Sequence, residues 1–111
     1  MSKAKILIVD DHGMYEECKD KVVWPDGKEI FHTTAEKAVS TLLEATVDIV
    51  VVDGCGLQLI EDIRSIHFGK MLAASDNTDH RILAKEAGCD YQCPRVNVAG
   101  MVGAILEMSH F

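Results

Sequence analysis

The chain has 111 residues, 48% hydrophobic and 26% charged, with two prolines and eight glycines, a mixture that marks one globular domain over residues 1–111 and excludes a disordered tail. A chain of this size buries about two-thirds of the surface its unfolded form exposes, so it needs no disulfide or structural metal to hold a core. Eleven basic against 18 acidic residues leave a formal charge of −7, and the absence of any basic block argues against nucleic acid or an anionic membrane as the main partner.

The first element is a strand, since Lys5 to Val9 is a short buried-type run, and it ends in the pair Asp10-Asp11. From Gly13 to Val23, Met14, Cys18 and Val22 recur every fourth residue and predict a helix, followed by a turn at Trp24-Pro25-Asp26-Gly27. A hairpin pairing Val22-Val23-Trp24 with Glu29-Ile30-Phe31 is the alternative for this stretch. Ile30 to Thr33 reads as a second strand. Thr33 and Glu36 then form a capping-box pattern ahead of a helix whose apolar stripe is Ala35, Ala38, Val39, Leu42 and Leu43. Val47 to Val52 is the strongest strand signal and stops at Asp53-Gly54.

Leu57, Ile60 and Ile63 open a further helix, and Met71 to Ala74 form a fourth strand. Ile82, Leu83 and Ala87 mark a helix closed by Gly88, and Cys89 to Cys93 a fifth strand. Val98, Met101, Val102, Ile105 and Leu106 trace a last helix. Strand and helix alternating five times with apolar strands imply a doubly wound parallel sheet covered on both faces, with any ligand site beyond the carboxyl ends of the strands.

Apolar runs of only a few residues, such as Ile49 to Val52, predict no signal peptide and no membrane span. Cys18, Cys55, Cys89 and Cys93 include no C-x-x-C pair, which reads as reduced thiols of a cytoplasmic protein and not as a zinc site. Redox sensing by Cys55 would rest on its position alone. His32, His67, His80 and His110 make no ligand pattern, and no G-x-G-x-x-G or Walker sequence is present.

Asp10, Asp11 and Asp53 all fall at strand ends on the ligand side. Three converging carboxylates repel one another unless a cation or basic side chain is bound among them, and hard oxygen ligands suit Mg²⁺. The plainer reading makes Asp10 or Asp11 a cap of the first helix.

Lys5-Ile6-Leu7-Ile8-Val9-Asp10-Asp11-His12, Val47-Asp48-Ile49-Val50-Val51-Val52-Asp53 and Glu86-Ala87-Gly88-Cys89-Asp90-Tyr91 together resemble the receiver domains of two-component response regulators, over the whole chain. The resemblance implies a flavodoxin-like (βα)5 sheet of strand order 2-1-3-4-5. It implies that Asp53 accepts a phosphoryl group from a sensor histidine kinase or phosphotransfer protein. Asp10, Asp11 and Asp53 would hold Mg²⁺, with the backbone carbonyl of Cys55 completing the metal shell. The family's usual interaction face would span Asp79 to His110 and meet a downstream protein target, in a stand-alone domain that is not an enzyme.

The sequence departs from the family at three places. The switch hydroxyl maps to Ala73, with Ser75 two residues later. The basic residue after strand five maps to Arg95, preceded by Pro94, where the family has lysine followed by proline. The loop after the acceptor is only Gly54-Cys55-Gly56. These departures favour the alternative of a pseudo-receiver, a protein-binding module that does not use phosphorylation. His12 reads as a solvent-edge residue and Tyr91 as packing, since strict counting places Gln92 at the aromatic switch position.

Overall fold

The computed structural model describes residues 4–11, 13 and 28–109. The expected first helix, the first arm of the alternative hairpin, His12 and Cys18 lie outside the described residues. The elements are β1 (Ala4–Asp10), β2 (Lys28–Thr33), α1 (Ala38–Glu44), β3 (Ile49–Asp53), α2 (Leu57–Ile66), β4 (Lys70–Ala74), α3 (Thr78–Ala87), β5 (Tyr91–Cys93), a 3₁₀ turn (Arg95–Asn97) and α4 (Val98–Ser109). All four strand pairings are parallel and the order is β2-β1-β3-β4-β5, the flavodoxin-like topology expected above.

Alternation along the strands splits the core in two. Leu7, Val9, Val50, Val52, Met71 and Ala73 pack with Ala38, Ile60, Ile63 and Ala84 from α1, α2 and α3. Ile6, Ile8, Ile49, Val51, Leu72 and Ala74 pack with Val98, Val102 and Ile105 of α4. Burying each Val, Ile or Leu contributes about 1.5–3 kcal/mol, which explains why strands this apolar are legible as continuous runs. Among the described residues, no helix is long and apolar enough to cross a membrane.

Three local expectations need correction. The Thr33/Glu36 capping box does not form: Thr33 is held extended opposite Val9 in the sheet, residues 34–37 make a turn closed by Lys37 N–H donating to the Thr34 carbonyl (3.1 Å), and α1 starts after Lys37 with no side-chain cap. In α3 the apolar pair Ile82 and Leu83 is exposed while Ala84 is buried, so that pair does not mark the inner face. The fifth strand begins at Tyr91, not Cys89, because Cys89 N–H still donates to the Ala84 carbonyl (3.1 Å) as the helix unwinds. Gly88, at φ +133°, makes that exit. A Cβ there would lie 2.7 Å from Arg64 Cγ.

Candidate functional site

Register brings the acidic residues together. Asp10 ends β1 and Asp53 ends β3, and the two are paired across the neighbouring strands. Both are only 2% exposed, a burial that would be costly for two bare carboxylates. Their partners are protein groups. Arg95 Nε lies 3.2 Å from Asp53 Oδ1, while His32 Nε2 donates to the Asp10 carbonyl at 3.1 Å and sits 3.8 Å from Asp10 Oδ2. The basic side chain that the repulsion argument demanded is therefore Arg95.

Asp11 also has a structural tie. It is exposed, and its Oδ1 accepts the Ala35 N–H at 2.9 Å, fastening the turn before α1. Among the described residues, no three His, Cys, Asp or Glu groups converge tightly enough to hold a metal ion, and Asp11 Oδ1 is taken up by that turn. The donor chemistry of the remaining pair fits Mg²⁺, which commonly takes one or two carboxylates and keeps several waters.

The loop between β3 and α2 has three residues. Gly54 adopts φ +61°, a conformation that favours glycine, and its N–H donates to the Ala74 carbonyl at 3.0 Å. The Cys55 thiol turns into the core, 3.7 Å from the carbonyl oxygens of Val9 and Asp53. Burial, then the charges of Asp11, Asp53 and Asp10, push this thiol up to about 12, so it is protonated at neutral pH and poorly suited to redox sensing. Burial likewise holds Cys89 at about 12 and Cys93 at about 11. The Cys55 carbonyl faces the other way and accepts from His80 Nε2 at 2.7 Å.

At the end of β4 the two switch candidates separate. Ala73 is fully buried in the core shared with α2 and α3, on the sheet face opposite the Asp10 and Asp53 parity. Ala74 is the residue opposite Asp53. Ser75 follows the strand, buried, and its Oγ accepts the Asn77 N–H at 3.1 Å. The Ser75 carbonyl accepts from Arg81 Nη1 at 2.6 Å.

Arg95 reaches the site from beyond β5, where Cys93 ends the strand in the core. Its backbone N–H donates to Asp76 Oδ1 at 3.1 Å, so the loop after β4 fixes the start of the 3₁₀ turn. Arg95 Nη2 is buried with no hydrogen-bond partner.

No family model matches the sequence, and no curated protein matches it either. Solved structures do. A signal receiver domain of an HD domain-containing protein from Pseudomonas fluorescens Pf-5 superposes with a TM-score of 0.77 at 18% identity, over 99% of this chain and 91% of that one. A LuxR-family two-component response regulator from Aurantimonas sp. SI85-9A1 gives 0.74 at 24% identity, over 96% and 86%. A two-component response regulator from Clostridium difficile gives 0.72 at 19%, over 95% and 97%. The fold is that of a response-regulator receiver domain.

Within this receiver fold, the acidic pair, Arg95 and the Cys55 loop share the carboxyl end of the sheet. A cleft of about 700 Å³ opens instead at the opposite end, against Asp48, Arg64, Phe68, Lys70, Tyr91 and Met108. Its carboxylates are already used structurally: Asp90 Oδ2 accepts from Arg64 Nη1 and from Met71 N–H, and Asp48 Oδ2 from Lys5 N–H. Sequence reading missed His32, Asp76 and His80, each tied to the site across 19 to 25 residues of chain. Nothing in their spacing signals such contacts.

Proposed function

We propose that this receiver-fold chain works in two-component signalling, with Asp53 accepting a phosphoryl group from a phosphohistidine of a sensor kinase or phosphotransfer protein. The observation that carries this reading is Asp53 itself: a buried carboxylate at the end of β3, beside Asp10, with Arg95 at 3.2 Å. An Asp53 carboxylate oxygen attacks phosphorus while the P–N bond breaks. The departing imidazole nitrogen keeps the electron pair and takes up a proton, leaving an acyl phosphate.

Repulsion between carboxylate and phosphoryl group is the main obstacle, so charge neutralisation and alignment are what the site must supply. Arg95 lowers that repulsion by facing Asp53, and its buried Nη2 is a donor suited to a phosphoryl oxygen. Mg²⁺ held by Asp10 and Asp53, with the second oxygen of Asp11 as a further donor, would neutralise the remaining charge; the Cys55 carbonyl, expected in the metal shell, is engaged by His80. The chain would then act as a signalling acceptor and not as an enzyme, meeting its downstream target through the face carrying Ile82 and Leu83, both exposed.

Two observations favour the pseudo-receiver instead. Asp11 is engaged by Ala35 N–H, and neither Ala73 nor Ala74 offers a hydroxyl beside Asp53. Incubation with Mg²⁺ and acetyl phosphate, followed by intact-mass measurement, separates the two. The expected outcome is addition of one phosphoryl group, absent in Asp53→Asn and strongly reduced in Arg95→Ala. An unmodified wild-type mass would leave the pseudo-receiver as the reading.

A further inference from the structure

At the end of β4 no hydroxyl stands directly opposite Asp53. Ala73 is turned into the core and Ala74 stands opposite Asp53. Ser75 Oγ accepts from Asn77 N–H within its own loop. A second route exists in their place. His80, in the first turn of α3, extends its ring to the loop that follows Asp53 and donates from Nε2 to the Cys55 carbonyl at 2.7 Å. We propose that His80 couples the Asp53 loop to α3, so that a change at the acceptor is read out as a movement of that helix. This rests on the phosphoacceptor reading of Asp53 and specifies how the same site is regulated.

Both ends of the link suit that role. Cys55 lies between Gly54 and Gly56 in a loop of three residues. Such a loop cannot absorb a group added at Asp53 without turning its peptide planes, and glycines on either side let the planes turn. The Cys55 side chain is held in the core, so the carbonyl and not the thiol is the part that swings. At the other end, the His80 backbone N–H is held by Asn77 Oδ1 at 3.0 Å, which fixes the residue that carries the ring in the capped first turn of α3. His80 Nδ1 is buried with no hydrogen-bond partner, so the bond to Cys55 is the ring's anchor among the described residues.

The helix is also weakly seated. Ala84 is its only buried residue, whereas Ile82 and Leu83 face outward. An element with few buried apolar anchors shifts at low cost. A shift of α3 would re-aim an exposed apolar pair, which is the kind of change a protein partner can sense.

The test follows amide signals on adding beryllofluoride and Mg²⁺, a phosphoryl mimic, to wild type, His80→Phe and His80→Gln. Wild type is expected to shift at Gly54–Gly56 and across residues 78–87. In His80→Phe the loop shifts remain, while those across 78–87 shrink at least about threefold, since a ligand moves an equilibrium only through contacts that differ between its states. His80→Gln, which keeps an N–H donor, restores them in part. Undiminished shifts across 78–87 in His80→Phe would overturn the coupling and leave the acceptor reading intact. Loop shifts in wild type without any response across 78–87 would overturn it equally. No shift at Gly54–Gly56 in wild type would instead overturn the acceptor reading, and the coupling with it. Should His80→Phe fail to fold, His80→Ala supplies the donor-free comparison.

Discussion

Arg95 does from outside the sheet what a basic residue within a strand would do from inside it. The last residue of β5, Cys93, is buried against α4, so a charge at that position would have no route to solvent. Two residues on, the longer guanidinium folds back to Asp53, with a planar fork that a lysine lacks. The same accounting changes what is expected of the acids. With Arg95 beside Asp53, the mutual repulsion of the two buried acids is already reduced, and deleting a carboxylate should not stabilise the fold. Asp11 is the sharpest case. Asp11→Ala removes the acceptor for Ala35 N–H and should lower stability by about 1 kcal/mol, whereas Asp11→Asn keeps an oxygen there and should stay close to wild type. Urea unfolding of both variants checks this; equal losses would mean that the charge of Asp11, and not its hydrogen bond, holds the turn.

At the level of elements, the loop after β4 and the turn after β5 behave as one unit, because Asp76 accepts the first N–H of the Arg95–Asn97 turn. Asp76→Ala should cost about 1 kcal/mol, the usual worth of one intramolecular hydrogen bond, and should loosen the contact between Arg95 and Asp53. The Asp53 carboxyl carbon shift reports that contact directly. Asp76→Asn should leave it in place, and a carboxyl signal indifferent to both substitutions would dissociate Asp76 from the site.

What could be read in advance follows the same division. Strands β1 and β3 were legible because parallel strands covered on both faces are apolar at every position, and Asp10 and Asp53 stood out as the residues that end those runs. The start of α1 was not legible. Thr33 carries the chemistry of a cap, but pairing with β1 keeps it extended, and sheet register leaves no mark in a four-residue pattern. The partnership of His80 with Cys55 was invisible for a related reason: it depends on how α3 sits over a loop 25 residues away.

For the molecule as a whole, the end of the sheet remote from Asp53 contributes to the response to acid. His67 is buried just after α2 and donates from Nε2 to the Lys70 carbonyl at 3.0 Å. Burial holds its pKa below the ordinary 6.5, with Arg64 adding to the effect, against the Lys70 carbonyl, Asp90 and Asp48, which favour the proton. The unfolded chain therefore binds a proton at His67 at higher pH than the folded chain does. Its contribution to stability is complete above 6.5 and is lost as pH falls from there toward the lower folded value. Unfolding midpoints measured from neutral pH to about pH 5 should decline, at a cost near 1.4 kcal/mol for each unit separating the two values. His67→Gln, which keeps a donor for Lys70, should flatten that decline. An unchanged slope in the variant would assign the acid sensitivity to other groups.

The three-residue length of β5 bears on how the protein behaves when crowded. An open sheet has two borders, and each is a template on which a foreign strand can polymerise. Here one border is too short to hold a register, since three residues offer only a few unsatisfied backbone groups. The other, β2, is six residues long and exposes Phe31 beside Glu29, so a second copy laid against it would have to desolvate that carboxylate. A sheet with β1, β3 and β4 apolar enough to seed fibrils thus keeps those three strands in its interior, away from either border.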